Sequence, residues 1–221
     1  MPTITSVEPQ KKNPKRFNIF IDGKFAFGAD EDLVVSYRLV PGKKIQHREL
    51  DKLLYEAEVG KLMERMYGLF SVRQRSETEI KTYLKTLSFK RKIKDGEEIS
   101  DLTIDLLVER LKQKGLINDV EFAKAWVESR RKSKQKSIRA LKSELLQKGI
   151  DREIIEEVLG EPFDSSQSEE ELVKQALEKK LKSWKNLEPQ EFRKKATGFL
   201  LRKGFEYEVI KRALDKREDT L

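Results

Sequence analysis

The chain has 221 residues, of which 39% are charged and 37% are apolar, and it carries a net charge of +8 with no cysteine. The lack of cysteine excludes disulfides, thiolate metal sites and a cysteine nucleophile. The apolar fraction is low for one thick globule and typical of small helical units with solvated outer faces, while the basic balance favours polyanionic partners.

Membrane and secretion signals are missing from the sequence. No run approaches the roughly 20 apolar residues of a membrane span, and the N-terminus lacks the apolar stretch of a signal peptide. We therefore expect a cytoplasmic protein with no membrane partner.

The first 45 residues predict a small module that contains a β-hairpin. The stretch RFNIFIDGKFAFG (16–28) places Asp22-Gly23 between two apolar runs. Asp-Gly favours a type I′ turn, which needs positive φ at both central residues. A third strand is expected at 3–7, ending before Pro9, and a short helix near 31–38.

From His47 onward the sequence predicts helices only. Apolar residues recur at three- and four-residue spacings in nine stripes, from Val59–Phe70 to Val209–Leu214. Capping-box spacing marks helix starts at Ser76, Asn118 and Ser168, each with a glutamate three residues later. Helix ends are expected at the three glycines that follow a lysine and precede an apolar residue, which are Gly115, Gly149 and Gly204.

An internal repeat organises the helical part. Residues 145–159 superimpose on 200–214, with Lys148-Gly149-Ile150 on Lys203-Gly204-Phe205, whereas Lys114-Gly115 reads as a joint between units. The predicted fold is mostly α, with tandem three-helix, helix-turn-helix-like repeats in an elongated, curved array behind the hairpin module. The expected divisions are the module 1–58, repeat 59–117 with an inserted loop at 89–100, repeat 118–160, linker 161–167 and repeat 168–221.

No catalytic or cofactor chemistry is predicted. The one histidine, His47, reads as a surface residue near a helix start, and neither a Gly-x-Ser-x-Gly elbow nor a phosphate-binding Gly-rich loop is present. We expect no metal, no cofactor and no enzymatic activity.

The candidate partner- or DNA-binding residues are basic, and they fall into three groups. The richest is SRRKSKQKSIRALKS (129–143), which contains no acidic residue and can contact phosphates without reading bases, or grip an acidic protein. The plain alternative is a solvated turn with no partner. The middle group comprises Arg130, Arg131, Lys132, Lys134, Lys136, Arg139 and Lys142; the last comprises Lys194, Lys195, Arg202, Lys203, Lys211 and Arg212; the first comprises Arg73, Arg75, Lys90, Arg91 and Lys92.

Both tryptophans, Trp126 and Trp184, lie on apolar stripes. We predict that they anchor the core rather than serve as platforms on which bases stack.

Three stretches in order, RQRSETEIKTYL (73–84), LKQKGLINDVEFAKAWVESR (111–130) and ALKSELLQKGID (140–151), resemble the RecX family of recombinase regulators. The likeness covers about 70–218. It implies three tandem three-helix repeats that lodge in the groove of the RecA–DNA filament and dampen strand exchange, ATP hydrolysis and coprotease activity. Some family members support filament activity or bind DNA directly. The inserted loop at 89–100 departs from the family's pattern, because it replaces the usual short helix-end motif of the first repeat. The resemblance therefore does not define the contact surface of that repeat.

The resemblance therefore predicts a non-enzymatic modulator, most simply an inhibitor, of RecA in recombination, DNA repair and the SOS response. Its partners would be the RecA filament and DNA bound without sequence preference, and nothing in the sequence demands a dimer, so a monomer is expected. A stand-alone DNA-binding protein is the main alternative, although no helix combines Arg, Asn and Gln on one face as a base reader would. A helical scaffold for an acidic protein is a third reading.

Overall fold

The computed structural model describes residues 1–11, 13–94, 96–160, 169–184 and 187–218. The chain forms two compact units. The first contains residues 1–74 and 91–116, and the second contains residues 75–90 and the chain from Ile117 onward. The predicted linker at 161–167 and the predicted cap Ser168 lie outside the described residues.

The first unit opens with a three-stranded antiparallel sheet in the order β1-β2-β3. The strands are β1 (Ile4–Gln10), β2 (Asn13–Ile21) and β3 (Lys24–Asp30). Asp22 and Gly23 have φ of +49° and +79°, as the predicted hairpin turn requires. The expected end of β1 before Pro9 is wrong, because Pro9 pairs with Phe17. β1 is an edge strand, where a missing N–H is tolerated on the outer side.

Two helices close the sheet core. They are α1 (Glu31–Ser36), in the region expected to be helical, and α2 (His47–Phe70). Leu53 and Ala57 of α2 are buried with the apolar face of the sheet, while Leu62 and Met66 are buried further along the same helix. The boundary expected between 58 and 59 therefore falls inside one continuous helix, because α2 carries apolar residues for both regions and no residue that breaks it. The unit also contains α4 (Asp101–Gln113).

The described residues of the second unit form helices joined by turns, with no strand. It contains most of α3 (Glu77–Lys92), followed by α5 (Asp119–Lys134), α6 (Ile138–Gln147), α7 (Arg152–Gly160), α8 (Glu169–Trp184), α9 (Pro189–Arg202) and α10 (Tyr207–Glu218). Nine helices thus begin at or after His47 in the described part of the chain, as predicted. The loop expected from 89 starts later, since α3 continues through Lys92.

Two apolar cores fill this unit. Phe122, Leu141 and Ile155 are buried where α5, α6 and α7 meet, and a second set is buried where α8, α9 and α10 meet. The predicted stripes are mostly confirmed. In α5, however, Ala125 is exposed, and Ala123 fills the core position beside Phe122 instead.

The three Lys-Gly-apolar trios end α4, α6 and α9 with the same backbone motif. Gly115, Gly149 and Gly204 have φ of +68°, +73° and +89°. In each copy the glycine N–H and the next N–H donate to carbonyls three and five residues back, which is the Schellman pattern. The trios are therefore equivalent as helix ends, and the predicted repeat of 145–159 at 200–214 is confirmed.

Only two of the trios are also equivalent in their tertiary contacts. A Cβ on Gly149 would lie 2.2 Å from Thr78 Oγ1, and a Cβ on Gly204 would lie 2.6 Å from Ala140 Cβ, whereas one on Gly115 would meet nothing within 4 Å. Gly149 abuts the start of α3, and Gly204 abuts the start of α6. Each of these two turns therefore packs against the start of the second helix of the three-helix repeat that precedes it.

Serines complete both docking contacts. Ser76 Oγ donates to Lys148 O at 2.7 Å and also accepts from Glu79 N, so it caps α3 while it holds the turn. Ser137 Oγ accepts from Ala140 N, and Ser137 N donates to Lys203 O at 3.2 Å. A cap serine therefore binds a lysine carbonyl in the next Lys-Gly turn in both places.

Candidate partner-binding surfaces

The described residues contain no group of three His, Cys, Asp or Glu side chains placed to hold a metal ion. His47 is exposed at the first position of α2. No helix in the described ranges has both the length and the apolar character needed to cross a membrane. The candidate partner-binding residues are therefore the basic side chains.

The first basic group is not brought together. Arg75 precedes α3 and Lys90 lies near its other end, about 22 Å apart at 1.5 Å per residue. Two of the three cations at the far end are already paired, since Arg91 Nη1 lies 2.5 Å from Glu58 Oε1 and Lys92 Nζ lies 2.7 Å from Glu98 Oε1. The first basic group, which the sequence predicted as one patch, is therefore divided in two, because the 16-residue helix α3 separates its halves.

The middle group surrounds a carboxylate that stands just outside the basic run. Glu144 Oε2 accepts from Trp126 Nε1 at 2.8 Å and from Arg130 Nε at 3.0 Å, and Glu144 Oε1 accepts from Lys136 Nζ. Burial alone would raise the pKa of Glu144, but the hydrogen bonds from Lys136, Trp126 and Arg130 outweigh it and hold the pKa below its usual range. Two of the predicted binding cations are thus committed to the fold.

Trp126 is half-buried against the core, where its ring stacks on Phe122 with the centroids 5.7 Å apart, and cations contact it as well. The Arg130 guanidinium lies 4.1 Å from the ring centroid, and Lys148 Nζ lies 5.0 Å from it. Lys148 also binds Glu79 Oε1 of α3 at 2.6 Å. Trp184 is also half-buried against its core and packs edge-on against Phe192 and Phe199 at 6.0 and 5.6 Å, so both tryptophans pack against a core as predicted.

The remaining cations of the middle group differ in whether they form ion pairs. Lys132 pairs with Glu128 and Lys142 with Glu156, at 2.5 and 2.9 Å. Burial lowers the pKa of Arg131, and Glu169 opposes that shift. Lys134 and Arg139 are exposed, and neither side chain has a carboxylate partner within the described ranges.

The last group is spread over α9, α10 and the turn between them. Lys195 pairs with Glu191 at 2.9 Å, and Arg212 Nη1 lies 3.8 Å from Glu170. Lys194, Arg202 and Lys211 are exposed. Lys203 is half-buried, and its ammonium donates to the backbone carbonyl of Lys134.

Lys203 lies at the centre of a concentration of lysines that the sequence did not reveal. Burial lowers the pKa of Lys203, and the positive charges of the surrounding lysines lower it further. Five residues make up this lysine cluster: Lys134, Lys136, Lys179, Lys180 and Lys203. Lys179 and Lys180 of α8 were missed because they are remote in sequence from the middle group. Their only signal was the run LEKKLKSWK (177–185).

A cleft in the first unit also went unpredicted. Its lining includes the Arg16–Glu64 ion pair at 2.7 Å and the Arg110–Glu56 pair at 3.2 Å, together with Asp30 at the cap of α1. Opposite charges neutralise one another here, so the cleft offers no strong attraction to a polyanion.

Charge reversal at Arg130 should cost stability, and charge reversal at Arg139 should not. Arg130→Glu would place a second carboxylate beside Glu144 and remove the cation from Trp126, which we expect to lower the free energy of unfolding by about 1–2 kcal/mol. Arg139→Glu, on an exposed side chain, should change it by less than about 0.5 kcal/mol. Urea denaturation of both variants measures the difference. Equal values would show that the Glu144 network contributes nothing.

Three family models match the chain. Residues 2–46 match the regulatory protein RecX N-terminal domain, residues 118–159 match the second three-helix domain of RecX, and residues 168–214 match the third.

Whole-chain relatives carry the same description. The chain is 37% identical over 218 residues to regulatory protein RecX of Bacillus subtilis strain 168, covering 99% of this chain and 78% of the relative. It is 34% identical over 210 residues to regulatory protein RecX of Listeria welshimeri, covering 95% of this chain and 74% of the relative.

Solved structures share the fold. A crystal structure of regulatory protein RecX superimposes with a TM-score of 0.70 at 24% identity, covering 97% of this chain and all of the other. RecX from Lactobacillus salivarius superimposes with a TM-score of 0.55 at 23% identity, covering 72% of this chain and 95% of the other. At these sequence identities the similarity shows that the fold is shared.

Proposed function

Because the chain belongs to the RecX family of regulatory proteins, we propose that it binds the RecA recombinase filament and its DNA and lowers the filament's recombinase, ATPase and coprotease activities. In this proposal it acts in the cytoplasm, as a monomer, through binding alone.

The repeated docking contact is the observation that supports a filament partner most directly. Ser76 holds the Lys148-Gly149 turn through its side-chain hydroxyl, and Ser137 holds the Lys203-Gly204 turn through its backbone N–H, and in both places the acceptor is the lysine carbonyl of the turn. Helical units that dock in the same way present comparable faces at regular steps along the chain. A filament also presents the same surface at regular steps, so one protein chain can engage neighbouring protomers.

In this mechanism the protein inhibits RecA by occupying the surface of the filament. A chain that bridges adjacent protomers opposes the relative movement that accompanies cycles of ATP hydrolysis, and it covers surface that strand exchange needs. Exposed cations such as Lys134 and Arg139 would supply long-range attraction to the nucleoprotein without reading base sequence.

A stand-alone DNA-binding protein is the second candidate, and the lysine cluster is the observation that favours it. Lysine ammonium groups contact phosphates as point charges. Readers of base edges commonly combine Arg with Asn or Gln side chains, and the lysine cluster contains none of these three. The cluster therefore suits strand contact within the proposed regulatory role better than sequence-specific binding.

The test measures DNA-dependent ATP hydrolysis by RecA with and without this protein at fixed salt, together with binding of the protein to naked duplex and single-stranded DNA. We expect hydrolysis to fall as the protein is titrated, and binding to naked duplex to show no sequence preference. Unchanged hydrolysis together with tight, sequence-specific duplex binding would replace the proposal by the second candidate.

A further inference from the structure

Lys203, the centre of the lysine cluster, is held in place by backbone contacts rather than by an ion pair. Lys134 is the last residue of α5, and Lys203 lies in the turn after α9. The Lys203 ammonium donates to the Lys134 carbonyl, and the Lys203 carbonyl accepts from Ser137 N. The docking of the Lys203-Gly204 turn therefore fixes the centre of the cluster, with Gly204 against Ala140.

Four members of the cluster have no carboxylate partner among the described side chains, namely Lys134, Lys179, Lys180 and Lys203. Lys136 alone is paired, with Glu144. Other cations of the second unit are neutralised within it, as Lys142 is by Glu156 and Lys148 is by Glu79. The unit thus keeps a positive centre that no described carboxylate neutralises, and the like charges there repel one another.

One aromatic ring lies beside this centre. Lys203 Nζ is 5.1 Å and Lys180 Nζ is 5.7 Å from the Phe199 ring centroid. These contacts stabilise two ammonium groups without neutralising them, because the ring carries no net charge. The cluster therefore keeps its charge available to a ligand.

The residue types favour a nucleic-acid strand over an acidic protein. Lysine is depleted in the cores of protein–protein interfaces, which prefer arginine and large aromatic anchors. Phosphate contacts of nucleic-acid-binding proteins use lysine freely, because counterion release supplies the affinity without fixed geometry. Several exposed ammonium groups around one half-buried lysine match a flexible strand that carries a charge on each nucleotide.

We propose that the lysine cluster, with Lys203 at its centre, is the contact site for the phosphate backbone of single-stranded DNA. Lys179 and Lys180 of α8 and Lys134 of α5 would each meet a phosphate, and Lys203 would gain the counter-charge that it lacks in the free protein. The proposal rests on the proposed function for its biological setting, but strand binding is measurable without RecA.

The test compares two triple variants that lose the same charge. One is Lys134→Gln/Lys179→Gln/Lys180→Gln in the cluster; the matched control, Lys24→Gln/Lys44→Gln/Lys61→Gln, removes three exposed lysines of the first unit. The measurement is fluorescence anisotropy of a labelled single-stranded homopolymer over a series of salt concentrations.

We expect the cluster variant to bind at least tenfold more weakly at low salt, with the control within about threefold of the parent. The slope of log K against log salt should shrink by about 2 for the cluster variant, since each lost single-strand phosphate contact contributes about 0.7. Lys134→Arg/Lys179→Arg/Lys180→Arg should retain parental binding because it keeps the charges.

Folding is followed in parallel by circular dichroism. Neutralising the cluster should leave the thermal midpoint unchanged or raise it, because it removes repulsion around Lys203. Loss of binding with an intact fold therefore assigns the loss to the site.

Three outcomes would overturn the assignment. The cluster and control variants could weaken binding equally; the parent protein could fail to bind the strand at any salt concentration; or the cluster variant could lose its effect on RecA while binding the strand normally. By contrast, selective loss of strand binding in the cluster variant, with a parent protein that leaves RecA hydrolysis unchanged, would support the site and reject the proposed function.

Discussion

Replacing Gly149 by alanine is expected to lower the free energy of unfolding by about 2–5 kcal/mol. The φ of +73° disfavours any residue with a Cβ by about 1–2 kcal/mol. The added Cβ would also overlap Thr78, with Oγ1, Cβ and Cγ2 at 2.2, 2.4 and 2.5 Å, and overpacking of this kind costs about 1–3 kcal/mol more. Denaturant titration followed by circular dichroism and tryptophan fluorescence measures the loss.

Gly115→Ala is the matched control, because its φ of +68° is similar and its surroundings are open. We expect only the conformational cost, about 1–2 kcal/mol. A second variant, Thr78→Gly, removes the three atoms that an alanine at 149 would strike. The double variant Gly149→Ala/Thr78→Gly should therefore lose less stability than the sum of the two single changes.

The outcome distinguishes a helix cap from a docking contact. If Gly149→Ala and Gly115→Ala cost the same, the 149 turn acts only as a helix end. A strictly additive double variant would lead to the same conclusion. Either result would also weaken the case for repeated docking, which supports the proposed filament partner.

Replacing Glu144 by alanine is expected to cost about 2–4 kcal/mol. The side chain is 20% exposed and accepts from an indole N–H, a guanidinium and an ammonium. Its removal would leave the half-buried Trp126 N–H without a partner and place Arg130 and Lys136 together without a counter-charge. Urea denaturation reports the loss, and the emission of Trp126 should change with it.

Glu128→Ala is the control for this substitution. Glu128 also binds a lysine, Lys132, but its side chain is 57% exposed, so solvent screens the pair and we expect little change in stability. Comparable losses for the two variants would mean that the Glu144 network is no stronger than a surface ion pair.

The Glu144 contribution should depend on pH in a definite direction. Its pKa in the folded protein lies below the ordinary carboxyl value of 4.5, so the folded state favours the charged form. The stabilisation is therefore fully present above pH 4.5 and is lost as the pH falls through the folded pKa. The stability difference between the parent and Glu144→Gln should shrink in that acid range, and a difference that grows on acidification would contradict the assignment.

The docking contact that the Gly149 variant tests recurs at the centre of the proposed strand site. The Lys203-Gly204 turn docks on Ser137 as the Lys148-Gly149 turn docks on Ser76. Substitution of Gly204, where a Cβ would lie 2.7 Å from Ser137 Oγ, would displace the lysine that the cluster surrounds. Lys203 therefore reaches its position through the fold of its turn rather than through a carboxylate partner.

The sequence alone determined the features that depend on neighbours within a few residues. The hairpin at Asp22-Gly23, the helical stripes and the glycine helix ends follow from local φ preferences and from apolar periodicity, so they could be predicted. Only the tertiary structure decided that Glu144 takes up Arg130 and Lys136 and that Lys179 joins Lys134 and Lys203. Lys134 and Lys203 are 69 residues apart in the chain. Whether such distant charges meet, and which remain uncompensated, depends on how the helices pack, and charge spacing along the chain carries no record of that packing.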